Sequence, residues 1–233
     1  MLPLLFFLVA LGVLSSLPSL LIAGLGVGGF LVAAVGYIDD HRSLPAKVRL
    51  LMHVIAAVLF VAAVGRTGSV VRETAADWAV LILVVMGVVW ATNLFNFMDG
   101  IDGIAASQAL FVTGATATLI ASQANTAVAA DFAFLLSATA GACMGFLVWN
   151  WPPARIFMGD VGSGFLGFWI GSLAVTLHVL GVLSIWISLL LSSLFVADAT
   201  TTLIRRFLRG ERWYQAHRSH AYQILARRWN SHL

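Results

Sequence analysis

Chemistry on phosphate groups needs hard oxygen donors, backbone amides free to face an anion, and fixed positive charge. This chain concentrates all three in four short polar clusters. The first is Asp39-Asp40. The second is Asn93 with residues 96–103, Asn96-Phe-Met-Asp-Gly-Ile-Asp-Gly. The third runs from Arg155 through residues 159–164, Gly-Asp-Val-Gly-Ser-Gly. The fourth lies in a basic tail and contains His217-Arg218-Ser219-His220.

Asn96, Asp99 and Asp102 fall at i, i+3 and i+6, so a continuing helix would give them one broad face. Gly100 and Gly103 leave the backbone open beside them. Such oxygen donors suit Mg²⁺, which keeps several waters and takes substrate phosphates as further ligands. The plain alternative is a capped turn between two helices. In the third cluster, a Gly-rich turn entering a helix presents free N–H groups to an anion. That makes Gly162 and Ser163 candidate phosphate contacts, with Arg155 beside them. Asp160 within that turn is ill-suited to touch phosphate directly. It makes sense with a cation between the two, so Asn96 and Asp160 are the expected metal ligands. His217, Arg218 and His220 offer donors for a diphosphate. Zinc is the weaker reading, since neither Cys nor an HExxH pattern accompanies them. Asp39-Asp40 alone would serve equally as a solvated helix end, its charge balanced by His41, Arg42, Lys47 and Arg49.

The elements that must hold these clusters follow from composition. The chain is 61% hydrophobic and only 10% charged, against roughly 25% charged in soluble domains. Continuous apolar runs at 2–17, 19–38, 48–65, 78–97, 104–121, 132–149, 164–181 and 182–204 give about eight spans. Each is near the length of about 20 residues that a bilayer requires. The expected fold is all-α, a polytopic transmembrane helical bundle, because backbone in lipid must satisfy its own hydrogen bonds. An even number of spans separates each cluster from the next, so all four share a face.

Of 13 Lys and Arg residues, only Arg66 and Arg72 fall on the opposite side. By the positive-inside rule the cluster face is cytoplasmic. The same distribution excludes nucleic acid as the reason for the +3 net charge; the basic tail doubles as an anchor to anionic membrane lipid. Gly24/Gly28, Gly141/Gly145 and Gly167/Gly171 read as close helix contacts. Cys143, His53 and His178 read as core residues. Asp198, costly within a span, must face the bundle or a basic partner.

With these motifs in this order the chain resembles the polyprenyl-phosphate N-acetylhexosamine-1-phosphate transferases, glycosyltransferase family 4. That family includes the phospho-N-acetylmuramoyl-pentapeptide translocase. The resemblance spans residues 30–223 and rests on Asp39-Asp40, residues 96–103, Ala154-Arg-Ile-Phe-Met-Gly-Asp-Val-Gly-Ser and Ala216-His-Arg-Ser-His-Ala-Tyr-Gln. The tail is most similar to the branch that begins O-antigen and related surface polysaccharides.

The resemblance implies a single integral-membrane domain over 1–233 in the bacterial inner membrane. It implies transfer of a sugar 1-phosphate from a UDP-sugar to undecaprenyl phosphate with release of UMP. Mg²⁺, or Mn²⁺ in its place, is the implied cofactor, and a homodimer is an implied assembly. Under this reading Asp39 and Asp40 position the acceptor, with base assistance from Asp39. Asp99 and Asp102 order the metal or the nucleotide.

The chain departs from the family pattern in having only 38 residues before the Asp pair and in stopping at Leu233. It looks shortened at both ends, which leaves an inactive truncated paralogue as one alternative. An ion-coupled carrier is the other. Carriers set ionisable groups near the midplane on broken helices, whereas these carboxylates, Asp198 apart, lie at span ends.

Overall fold

A chain of continuous apolar runs has one way to keep its amides bonded in lipid, and among the described residues every regular element is an α-helix. The computed structural model describes residues 16–66, 74–123, 126–210 and 220–229. The helices are α1 (Ser19–His41), α2 (Ala46–Val64), α3 (Ala75–Met98), α4 (Ile104–Ala121), α5 (Ala127–Asn150), α6 (Gly159–Val179), α7 (Ile185–Leu191), α8 (Ser193–Leu208) and α9 (Ala221–Trp229). The first six are long and apolar enough to cross a membrane. Of the expected span 2–17, only Ser16 and Leu17 lie among the described residues.

Three boundaries differ from the apolar runs for local reasons. α3 starts at Ala75 because Thr74 and Asp77 form a reciprocal cap, each side chain accepting the other's backbone N–H. α5 starts at Ala127 because the Thr126 hydroxyl accepts from the Ala129 amide at 3.2 Å. α6 starts at Gly159, so the Gly-rich turn expected to lead into a helix is itself the helix's first turn and a half.

A fourth difference is larger. The expected span 182–204 is two helices, α7 and α8, bent by 77° at Ser192. The break frees backbone carbonyls, and Gln108 of α4 donates to that of Leu191 at 3.0 Å.

In lipid, helices gain little from apolar burial against each other, and close contact of small residues does the work. α1 packs on α2 and α6, α6 on α3, and α4 on α5. Gly24 faces Ala63, Gly28 lies under the Phe168 ring, and Gly167 and Gly171 press on Ala91 of α3. Gly141 and Gly145 depart from expectation: both are exposed, and among the described residues nothing lies within 4 Å of where their Cβ atoms would stand.

A backbone-to-backbone approach stands at Gly36, where a Cβ would meet the Asp160 carbonyl and the Val161 amide at 2.5 Å. Gly36→Val is therefore expected to wedge α1 from α6 and lower the melting temperature in detergent. Gly141→Val should leave it unchanged. Melting curves of both variants check this; equal behaviour would contradict the packing.

Candidate active site

α1 ends where α6 begins, and the joint between them is polar. The Asp40 carboxylate accepts from the Asp160 amide at 2.9 Å and the Val161 amide at 3.3 Å. Those are first-turn N–H groups with no partner inside the helix, and a negative charge suits a helix N-terminus. Gly159 makes the joint possible. Its φ of +64° belongs to glycine, and a Cβ would stand 2.5 Å from Asp40 Oδ2. This corrects the expectation of an open anion cradle at residues 159–164, since the chain's own carboxylate already takes two of its amides.

Asp39 points to the other side of the joint. Its Oδ1 accepts from the Leu44 amide and secures the α1–α2 turn. Its Oδ2 accepts from Arg49 Nη1 at 2.6 Å, and the same nitrogen donates to Asp160 Oδ2 at 2.9 Å. One guanidinium thus links the ends of α1, α2 and α6. Sequence reasoning took Arg49 as charge balance only. The available signal was its place in the first turn of α2, the end of a helix that disfavours a cation.

α3 completes the group. Asn96 contacts the Asp160 side chain and donates Nδ2 to the Ser163 hydroxyl at 3.4 Å. Ser163 in turn donates to the Gly159 carbonyl at 2.9 Å and is 1% exposed. It braces the start of α6 from within and offers no surface to a substrate, contrary to its expected role. The Gly162 Cα is covered by the Met158 side chain. Asn93 donates to the Val89 carbonyl at 2.8 Å and meets His53, so it faces the bundle one turn below the joint.

Asp99 follows the last turn of α3. Burial, reinforced by the negative charges of Asp160 and Asp40, pushes its carboxyl up to about 7. The folded chain therefore holds that proton more tightly than the unfolded chain does. The cost of the carboxylate is absent at low pH, grows as pH rises past the ordinary carboxylate range, and is complete above about 7. Asp99→Asn removes the cost. In metal-free buffer its melting temperature should exceed the parent's at about pH 8 and converge with it near pH 4. A gap that does not change with pH would contradict this.

Asp102 and Arg155 belong to a second joint. Asp102 Oδ2 accepts from the Ala154 amide at 3.0 Å. Asn150, which sequence reasoning missed, accepts from the Gly103 amide at 3.0 Å and donates to the Ile156 carbonyl at 2.8 Å. Together they clamp the α5–α6 loop to the α3–α4 turn. Arg155 lies exposed on that loop, its guanidinium 5.9 Å from the centre of the Trp149 ring.

In the tail, His217 and Arg218 lie outside the described residues. His220 is 1% exposed, stacked between the rings of Phe97 and Tyr222. Burial, helped by Arg206, lowers its pKa against the opposing charge of Asp198. It is a packed ring rather than the expected diphosphate donor. Tyr222 donates to the Phe97 carbonyl at 3.0 Å, with its hydroxyl against the bare Cα of Gly100. Asp198 accepts from the amides of Ala221 at 2.9 Å and Tyr222 at 3.5 Å, which settles its place as the cap of α9. Among the described residues, the first three clusters and His220 of the fourth therefore lie at one end of the bundle.

Among the described residues, the joint of α1, α3 and α6 carries four carboxylates, Asp39, Asp40, Asp99 and Asp160, and the guanidinium of Arg49 pairs with the first and last of them. Such a site repels phosphate until further positive charge arrives. Among the described residues no three His, Cys, Asp or Glu side chains stand at metal-cage spacing. Mg²⁺ does not need one, since it takes one or two carboxylates and fills the rest with waters and phosphates. Asp160 and Asn96, oxygen-bearing and adjacent, fit that ion.

A family model described as Glycosyl transferase family 4 matches residues 22–178. The chain is 29% identical over 210 residues to the "Probable undecaprenyl-phosphate N-acetylglucosaminyl 1-phosphate transferase" of Bacillus subtilis, covering 85% of this chain and 56% of that protein. It is 34% identical over 230 residues to the "Phospho-N-acetylmuramoyl-pentapeptide-transferase" of Mycolicibacterium smegmatis, covering 82% and 61%. For the enzyme of that name from Mycobacterium tuberculosis the figures are 35% over 229 residues, 78% and 62%. The chain thus spans a little under two thirds of the length of these relatives.

Proposed function

Because the chain belongs to glycosyl transferase family 4, we propose that it transfers a sugar 1-phosphate from a UDP-N-acetylhexosamine to undecaprenyl phosphate, releasing UMP. The product would be the first lipid-linked intermediate of a cell-wall or surface polysaccharide of the O-antigen type. The observation that carries this reading is the joint itself. Carboxylates from α1, α3 and α6 converge at one end of a bundle of apolar helices, where a lipid phosphate and a soluble nucleotide would meet. The distribution of Lys and Arg supports a cytoplasmic orientation in the bacterial inner membrane.

The acceptor is a phosphate monoester with a second pKa near 6, already largely dianionic at neutral pH. Its oxygen attacks the β-phosphorus of the UDP-sugar. The bond from that phosphorus to the bridging oxygen breaks, and UMP leaves with the electron pair. No strong base is required. Asp39, fixed by the Leu44 amide and Arg49, would orient the acceptor. Asp40 fixes the start of α6 and so aims Asp160. Mg²⁺ held by Asp160 and Asn96 would supply the positive charge that offsets the diphosphate. Asp99, beside Asp160 and Asp40, would order the metal or the nucleotide. Asp102 and Asn150 hold the loop that bears Arg155. His217 and Arg218 remain the proposed grip on the diphosphate.

The 77° break at Ser192 is a feature that carriers share. Here the break falls between Leu191 and Ser193 and holds no ionisable group, so the transferase reading is favoured.

The test is to incubate membranes bearing the protein with undecaprenyl phosphate and a panel of radiolabelled UDP-N-acetylhexosamines. Label extractable into organic solvent is expected from at least one of them. Failure with every UDP-sugar would sink the reading.

A further inference from the structure

Arg49 occupies an odd position for a residue with only a structural duty. It stands in the first turn of α2, against the helix dipole. It reaches two carboxylates through a single atom, Nη1, at 2.6 Å from Asp39 Oδ2 and 2.9 Å from Asp160 Oδ2. A stable Arg–carboxylate pair uses the planar fork, with two parallel N–H donors on two oxygens. This contact does not. Among the described residues, its Nη2 and Nε donate to no protein acceptor. The side chain is 33% exposed and Asp160 30%, so both can be reached from solvent, whereas Asp39 at 10% is more enclosed. Asp39 and Asp160 also lie close enough to interact directly. Two carboxylates at that spacing need a cation or a shared proton between them.

We propose that Arg49 is an exchangeable internal cation. It holds the Asp39–Asp160 pair together in the substrate-free protein and yields Asp160 when a divalent ion arrives. The inference rests on the transferase reading above, in which Asp160 is a ligand of that ion. Arg49 keeps its contact to the more enclosed Asp39, and its unused donors turn to a phosphate of the nucleotide sugar. Arg49 is thus a positioning residue for the ion and a contact for the substrate.

Energetic linkage follows. The ion must compete with a guanidinium for Asp160, and a diphosphate gives that guanidinium another anion to bind. Ion and substrate therefore favour each other's binding, and by reciprocity each does so by the same factor. Removing the charge at position 49 should strengthen binding of the ion alone and reduce the coupling to what direct ligation of the ion by phosphate supplies.

The test uses the full chain in detergent, with Mn²⁺ binding followed by electron paramagnetic resonance, with and without UDP-N-acetylglucosamine. The parent should bind Mn²⁺ on the order of tenfold more tightly with the nucleotide sugar present, a coupling of ordinary size. Arg49→Met should bind Mn²⁺ more tightly than the parent without it, and gain less than the parent from its addition. Arg49→Lys, a point charge without the fork, should keep the weak binding of the parent. If Arg49→Met binds Mn²⁺ no more tightly than the parent, the proposal is overturned. If Arg49→Met does not fold, the parent decides: equal Mn²⁺ affinity with and without the nucleotide sugar overturns it as well. Asp160→Asn serves as the separate control. Undiminished Mn²⁺ binding in that variant would reject the metal site of the transferase reading itself, independently of Arg49.

Discussion

Asp160→Asn is expected to reduce UMP release by roughly a thousandfold, since a metal bridge contributes several kcal/mol of transition-state stabilisation. The substitution is nearly isosteric. The α6 N-terminus remains capped by Asp40, which bonds backbone amides and not the altered side chain. Arg49 keeps its 2.6 Å contact with Asp39. Expression and melting temperature should therefore stay close to the parent while turnover collapses. UMP release at matched protein concentration is the measurement. Near-normal turnover in this variant, or full turnover of the parent in excess EDTA, would contradict a metal at Asp160.

Asp40→Ala carries the second large effect, for a different reason. Asp40 touches no proposed ligand site directly; it holds two backbone amides of α6. Losing a carboxylate cap costs about 1 kcal/mol of stability where water can replace it. The larger loss is positional. A displacement of about 1 Å at a reacting centre can cost on the order of a hundredfold in rate, and Asp160 rides on the turn that Asp40 fixes. Asp40→Asn keeps one acceptor oxygen and should recover a substantial part of the activity. Activities of the two variants, compared at matched fold, separate positioning from proton transfer. If Asp40 were a base, the Asn variant would be as inactive as the Ala variant.

The spans α1 to α6 were legible because each is a continuous apolar run, and the first three clusters stand at one end of the bundle. Helix starts were displaced where a Thr outside the apolar run supplies a cap, at Thr74 and Thr126. The break at Ser192 was hidden, since the run 182–204 stays apolar through it and the partner that compensates the break, Gln108, is 83 residues away. Within the site, residue types were legible and pairings were not. Asp40 bonds residues 120 and 121 positions distant, and nothing local to Asp39-Asp40 distinguishes the carboxylate that caps α6 from the one that pairs with Arg49. Ser163 and His220 have side chains suited to a ligand, yet their depth of burial is set by neighbouring helices. Asp198 was recognised as needing a partner, and it has both the amides of Ala221 and Tyr222 and the imidazole of His220, 3.8 Å away.

Transfer of a sugar 1-phosphate differs from transfer of a sugar in which phosphorus moves. The most direct measurement supplies undecaprenyl phosphate and a UDP-N-acetylhexosamine labelled with ³²P at the β-phosphorus and ¹⁴C in the sugar, then separates lipid from nucleotide. Both labels should enter the lipid fraction in equal amounts, with unlabelled UMP released in the same quantity. Carbon label in the lipid with the ³²P left behind in UDP would contradict the reaction at its centre.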